Sequence, residues 1–291
     1  MDTRSSLLIC NDVKCGWVIG PHDPIPCNAN HICFYEQMYV VGNTSGLLLS
    51  KTLHFPERDM VDFTVGCSIL SSGVPDGIIG FGRGFQSLLC LLSHQFDDNK
   101  TVSIELLLYR DSSNFGTWDG DGSIISYTKF RNPKLQGFEQ FEEYYYLNLR
   151  KITIGGADGN GGTIIDYGST FTTMDNPIYD PVEKEFEIQM YKGNCNRATY
   201  AESPEGFRIC YAAIGGKVSM FPELTWCEIV TADGRLLLPG GARVTCMTIF
   251  PSSLNVSIGP SIIIGNYQQR DIYVEYDLEN GRFGFEKKKC N

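Results

Sequence analysis

Thr163-Ile164-Ile165-Asp166-Tyr167-Gly168-Ser169-Thr170 is the stretch on which the reading of this chain turns. A short apolar, β-branched run leads into an Asp, then a Gly turn, then two hydroxyl side chains. A carboxylate at the end of a buried strand is costly unless its oxygens are hydrogen-bonded. Gly168 lets backbone N–H groups approach that carboxylate, and Ser169 can donate a hydroxyl to it. Taken alone the stretch has two readings: an Asp that orders a β-turn, or a carboxylate held for acid–base work.

Outward from this point the chain is strand-rich. Runs of Val, Ile, Thr, Tyr and Phe, cut by Gly, Pro, Asn and Asp, predict strands over 64–66, 103–109, 144–154, 163–166, 244–250, 261–265 and 271–277. One stretch predicts a helix. In 177–190 the residues Ile178, Val182, Phe186 and Met190 recur every four positions and make one apolar face. The fold class is therefore all-β with a few short helices.

Composition bounds the rest. The 291 residues are 42% hydrophobic, 12% aromatic and 20% charged, which excludes a disordered chain. Lys and Arg number 24 against 34 Asp and Glu, a net charge of −10. That argues against a nucleic-acid partner. Apolar runs such as 88–92 fall far short of the roughly 18 residues of a membrane span. Eleven cysteines and four His lack zinc-knuckle spacing, so disulfides of an oxidising compartment are expected and no metal site. Three sequons, at Asn43, Asn99 and Asn255, point the same way, although each is also a tripeptide that arises by chance. The opening residues show no charged segment followed by an apolar one, so no signal peptide is read in this chain.

A polar stretch at 132–143 divides the sequence, either as a surface loop or as a boundary between two lobes. A faint repeat spans it: Asp76-Gly77-Ile78-Ile79-Gly80 resembles Ser261-Ile262-Ile263-Ile264-Gly265. Each alone is a buried strand ending in a turn.

Together these stretches carry a resemblance. Two hydrophobic residues followed by Asp-Ser/Thr-Gly-Ser/Thr resembles the active-site signature of pepsin-like aspartic proteases, with Ile264-Gly265 matching its aliphatic-Gly partner strand. The tail Ile264-Gly265-Asn266-Tyr267-Gln268-Gln269, continuing to Phe285, is similar to the C-terminal segment of plant nepenthesin-like (atypical) aspartic proteases. Gly77-Ile78-Ile79-Gly80-Phe81-Gly82-Arg83-Gly84 resembles that family's first-lobe segment, and 144–155 resembles the first strand of its second lobe. The likeness covers nearly the whole chain in order.

The resemblance implies a bilobal pepsin-like fold, here with an N-terminal lobe over 1–138 and a C-terminal lobe over 139–291. It implies an aspartic endopeptidase acting on a peptide or protein substrate, with no cofactor and as a monomer. Two carboxylates about 3 Å apart would share a proton, one activating water and the other polarising the peptide carbonyl. Asp166 matches the second catalytic Asp, supported by Gly168, Ser169 and Thr170. Tyr39 matches the Tyr of the substrate-covering flap, with Val40 where the family has Gly. Ile79-Gly80 and Ile264-Gly265 match the two partner strands. By resemblance Cys210 pairs with Cys246, Cys90 with Cys290, and Cys10, Cys15, Cys27 and Cys33 form two bridges. Cys67 would pair with a residue upstream; Cys195 and Cys227 have no assigned partner.

Two departures qualify that expectation. The first Asp-Thr-Gly-Ser has no match: Asp2-Thr3 is followed by Arg4, and no apolar strand precedes it. Tyr167 stands where the family has Ser or Thr, whose hydroxyl ties the two Asp loops together. The expectation is a first lobe that is incomplete, a truncated chain with half of the dyad, and negligible peptidase activity. The alternative is a non-catalytic homologue acting as a protein-binding or glycosidase-inhibitor-like module. A dimer of second lobes has less support, since Tyr167 would stand twice at its axis, and so has a Ser–His–Asp hydrolase, since the sequence holds no Gly-x-Ser-x-Gly elbow. By family and cysteine content the site of action is extracellular, in the cell wall, or vacuolar.

Overall fold

The computed structural model describes residues 8–10, 16–17, 32–39, 42–54, 59–73, 77–83, 87–88, 104–107, 125–132, 144–147, 162–192, 195–202, 207–212, 226–228, 244–252, 259–269, 272–278 and 280–287. The 138/139 boundary, Asp2, Cys15, Cys27, Cys90, Cys290 and the sequons at Asn99 and Asn255 lie outside them. The chain divides into two compact units: residues 1–104, 133–145 and 275–282, and residues 105–132, 146–274 and 283–291.

The first unit is built on one sheet. Strands β1 (Leu8–Cys10), β2 (Gly16–Trp17), β3 (Phe34–Met38), β4 (Asn43–His54) and β5 (Asp59–Ser72) run in the order β1-β5-β4-β2, with β3 also paired to β4. The long β4–β5 hairpin slips register at Ser45/Gly46, leaving Ile69 as an extra residue. Gly46 is required there, because a Cβ would meet the Cys67 carbonyl oxygen at 1.9 Å. Phe63 and Val65 pack with Leu49 and Cys67 on one face. Cys33, Leu48 and Ile78 cluster with Tyr35 and Tyr39.

The second unit carries β6 (Ile104–Leu107), β7 (Ser126–Arg131), β8 (Tyr146–Leu147), β9 (Thr163–Ile165), β10 (Thr172–Met174), helix α1 (Asn176–Lys192), β11 (Asn196–Arg197), β12 (Cys210–Ala212), β13 (Trp226–Glu228), β14 (Val244–Met247), β15 (Ile249–Pro251) and β16 (Ile262–Ile264). The hairpin β17 (Ile272–Asp277) and β18 (Arg282–Lys287) follows, with residues 275–282 counted in the first unit. The larger sheet runs β15-β10-β16-β9-β8-β7-β18, its path continuing through β17 to β6; a smaller sheet runs β11-β12-β14-β13.

Helix α1 forms where its spacing predicts. Ile178, Val182, Phe186 and Met190 are all buried, packed against Ile209, Tyr211, Met247, Ile249 and Ile262. Burying four such side chains contributes about 1.5–3 kcal/mol each. The Asp175 carbonyl starts the helix by accepting from the N–H groups of Ile178 and Tyr179, at 2.9 and 2.8 Å.

Two expected strands differ. The run 244–250 breaks at Thr248: β14 pairs in the small sheet, and β15 pairs with β10 in the large one. Residues 77–80 form no strand but two isolated bridges, at Ile78 and Gly80, with Ile79 40% exposed. The physical contrast is with β16, held on both sides by β9 and β10.

Candidate active site

Asp166 ends β9, which lies parallel to β16 with Ile164 opposite Ile263 and Ile165 opposite Ile264. The Asp166 N–H continues that ladder onto the Ile264 carbonyl, at 2.9 Å. The side chain is fully buried. Its Oδ1 accepts from the Gly168 N–H at 2.9 Å, and its Oδ2 from the Ser169 hydroxyl at 2.5 Å. The turn thus supplies the donors that a buried carboxylate requires. Two of its roughly four acceptor positions are filled in this way.

A second segment holds the turn from behind. Residues 265–269 follow β16 and run against 166–172. The Asn266 N–H donates to Ser169 O at 2.7 Å, the Tyr267 N–H to Thr170 O at 3.0 Å, and Asn266 Nδ2 to Tyr167 O at 3.2 Å. The buried Gln269 amide donates to Asp166 O and Ile264 O. Thr172 is the polar centre of the packing: its hydroxyl accepts from the Gly265 N–H and donates to Gln268 Oε1, and Gln268 Nε2 donates to the Thr248 hydroxyl. Gly265 is obligatory at this crossing, since a Cβ would sit 2.4 Å from the Phe171 carbonyl oxygen.

Tyr167 is half-buried, and that desolvation raises its phenol pKa. Past the turn, Phe171 lies among Phe207, Phe250 and Tyr267, at ring separations of 5.5, 5.1 and 5.8 Å.

The other residues singled out from sequence fall as follows. Tyr39 lies in the first unit, where its N–H donates to Gly42 O at 2.9 Å and its ring packs on the cluster containing Ile78. Gly80 is buried and its carbonyl accepts from the Leu88 N–H. Cys210 and Cys246 form the disulfide expected of them. Cys33 is also disulfide-bonded. Cys67 stands opposite Cys10 in the β1–β5 pair. Thr172, Asn266, Gln268 and Gln269 are the site residues that sequence reasoning missed as individuals. Their signal was present in the Asn-Tyr-Gln-Gln tetrapeptide of the tail, read there only as a family mark.

Comparison with known proteins agrees with this architecture. Residues 2–117 match the family model described as xylanase inhibitor N-terminal, and residues 144–287 the one described as xylanase inhibitor C-terminal. Aspartic proteinase nepenthesin-2 of Nepenthes gracilis is 27% identical over 297 residues, covering 91% of this chain and 62% of that protein. Aspartyl protease AED3 of Arabidopsis thaliana is 23% identical over 308 residues, covering 97% and 65%. The chain spans about three fifths of the length of the first curated relatives it matches. Among solved structures, basic 7S globulin from soybean superposes with a TM-score of 0.63 at 16% identity, over 99% of this chain and 88% of that one. Conglutin gamma from lupine seeds gives 0.62 at 16%, over 99% and 87%. At such identities these two speak for the fold alone.

Proposed function

The chain belongs to the plant pepsin-like aspartic protease family whose halves are described as xylanase inhibitor N- and C-terminal domains, and from that premise we propose that it presents one half of an aspartic endopeptidase's catalytic pair. Asp166 is that half. The observation that carries the reading is the oriented, buried carboxylate, with the Gly168 N–H on one oxygen and the Ser169 hydroxyl on the other. A carboxylate fixed in this way acts as general base on a water that attacks the peptide carbonyl, or as the donor that polarises that carbonyl. One carboxylate cannot fill both roles at once. The reaction therefore needs a second, facing Asp166, and no Asp-Thr-Gly or Asp-Ser-Gly tripeptide occurs in the sequence given.

The consequence is negligible peptide hydrolysis by this chain alone. The test is a fluorogenic peptide assay at acid pH with the purified full chain, with and without pepstatin, beside Asp166→Asn. Indistinguishable background rates are expected. Pepstatin-sensitive cleavage that disappears in the variant overturns the reading. Tyr39 is assigned to substrate covering and Thr170 to support of the turn. The monomer that the family resemblance implies is kept as part of this reading, and light scattering of the purified chain checks it. The disulfide Cys210–Cys246 supports passage through an oxidising, secretory compartment.

Tyr167 favours a second reading. A phenol beside Asp166 replaces the small hydroxyl residue of the active-site signature, as expected where catalysis is no longer selected. On this reading the chain is a binding module of the glycosidase-inhibitor type, in line with the descriptions of its two family models. Titration of the chain into a xylanase assay discriminates: loss of xylanase activity at stoichiometric amounts supports it, and unchanged rates at excess reject it.

A further inference from the structure

The sequon Asn43-Thr44-Ser45 opens β4, directly after the turn in which the Tyr39 N–H donates to the Gly42 carbonyl at 2.9 Å. Gly42 takes a φ of 97° there, and a Cβ on it would meet Ser72 O at 1.9 Å. Side chains along a strand alternate between its two faces. Thr44 is 1% exposed and turns inward, its hydroxyl sharing hydrogen bonds with those of Tyr35 and Ser68 at 3.2 and 2.9 Å. Asn43 and Ser45, the two residues a glycosyl transfer reads, therefore share the opposite face.

That face is open. Asn43 is paired with Met38 on β3 and with Ser72 on β5, and Ser45 is paired with Glu36 and Leu70. All four partners are exposed, Met38 at 67% and Leu70 at 70%. Phe34, which shares its side of β3 with Glu36 and Met38, is exposed as well. The sheet thus shows Met38, Leu70 and Phe34 to solvent around a sequon asparagine. Apolar side chains gathered on one face call for a cover or a partner.

We propose that Asn43 carries an N-linked glycan whose innermost sugars cover Met38 and Leu70. The proposal rests on the secretory passage read above from the Cys210–Cys246 disulfide. The donor is a lipid pyrophosphate-linked oligosaccharide, used by the glycosyl transferase of that compartment, for which the Ser45 hydroxyl completes the acceptor. Asn43 Nδ2 attacks the sugar C1 and gives up a proton. The N–C1 bond forms as the C1–O bond to the pyrophosphate breaks, and the lipid pyrophosphate leaves with that electron pair. Nothing is oxidised or reduced. In the folded sheet the glycan has a way out, because the neighbours of Asn43 on both strands, Met38 and Ser72, are exposed. The C–H faces of the sugars then lie on Met38 and Leu70 and take apolar surface out of water.

The test is site mapping of the full chain, secreted from human cells behind a heterologous leader. The leader takes the chain through the compartment whatever its natural route, so the map tests the site separately from the route. The secreted protein is digested, treated with peptide N-glycosidase F in heavy-oxygen water and read by mass spectrometry. Residue 43 is expected as labelled Asp in most molecules. Asn43→Gln and Ser45→Ala are expected to abolish that label, and Ser45→Thr to keep it. The wild-type map decides even where a variant is not secreted. Binding of a hydrophobic dye reads the cover: Asn43→Gln is expected to raise it, and adding Met38→Ser and Leu70→Ser to bring it back. An unmodified Asn43 in secreted chain that holds the Cys210–Cys246 bond overturns the site and leaves this face to a protein partner. An occupied Asn43 whose loss leaves dye binding unchanged overturns the cover.

Discussion

The side chain of Gln269 holds Asp166 by its backbone: Nε2 donates to the Asp166 carbonyl at 3.4 Å and to the Ile264 carbonyl at 3.2 Å. The Ile264 oxygen also accepts the Asp166 N–H. One buried amide therefore fixes the peptide units on both sides of the junction between β9 and β16. Gln269→Leu keeps the volume and removes the donors. Losing a buried donor of this kind costs about 1–3 kcal/mol. The expected outcome is a lower Tm together with faster amide exchange at Gly168, read by hydrogen–deuterium exchange. A lower Tm with Gly168 exchange unchanged would show that Gln269 supports the fold without holding the turn.

Ser169→Ala removes the hydroxyl on Asp166 Oδ2 while leaving the Gly168 N–H on Oδ1. A buried carboxylate oxygen without its donor is costly, about 1–3 kcal/mol. Thermal melts should show the loss at neutral pH. Ser169→Thr, which restores the hydroxyl, is expected to recover most of it.

Gly265→Ala places a methyl 2.4 Å from the Phe171 carbonyl oxygen. Backbone on both sides must part, and overpacking of this kind costs about 1–3 kcal/mol. Urea unfolding should show a lower midpoint with an unchanged slope. By contrast Gly281→Ala meets no neighbouring atom within 4 Å, and its cost comes only from the positive φ of 62°.

Asp277 gives the fold an acid-sensitive point. Burial acts to raise its carboxyl, but hydrogen bonds from the Asn280 backbone and side chain and from Arg282 outweigh it, so the pKa lies below the ordinary value. A depressed carboxylate stabilises fully above its unfolded value of about 3.9 and loses that contribution as pH falls through the folded value. Asp277→Asn should therefore lower Tm at neutral pH, and its Tm should fall less than wild type below about pH 4. Melts taken across the acid range check both the offset and the slope.

How far sequence reached into this fold depends on range. Helix α1 was legible because its four buried positions lie within one local period. The Asp166 turn was legible because both donors to the carboxylate come from the next three residues. The split at Thr248 was hidden, because the residues on either side are equally apolar. What divides them is the partner each finds: Cys210 and its strand for β14, Thr172 and its strand for β15. Ile78-Ile79-Gly80 and Ile263-Ile264-Gly265 read alike, yet among the described residues only the second is a strand, paired with β9 on one side and β10 on the other. The support from Gln268 and Gln269 comes from residues about a hundred positions beyond Asp166 and Thr172, and no local pattern announces it.

Residues 275–282 belong to the first compact unit, although most of that unit lies before residue 105. Tyr276 packs edge-on against Tyr145 at 4.8 Å, and the Tyr145 hydroxyl donates to Phe81 O. On the ribosome, a domain built from one early segment can fold while the remainder is being translated. This one cannot be completed in that way. Residues 275–282 are translated only after residues 146–274 of the second unit, so the first unit is completed after most of the second has been made.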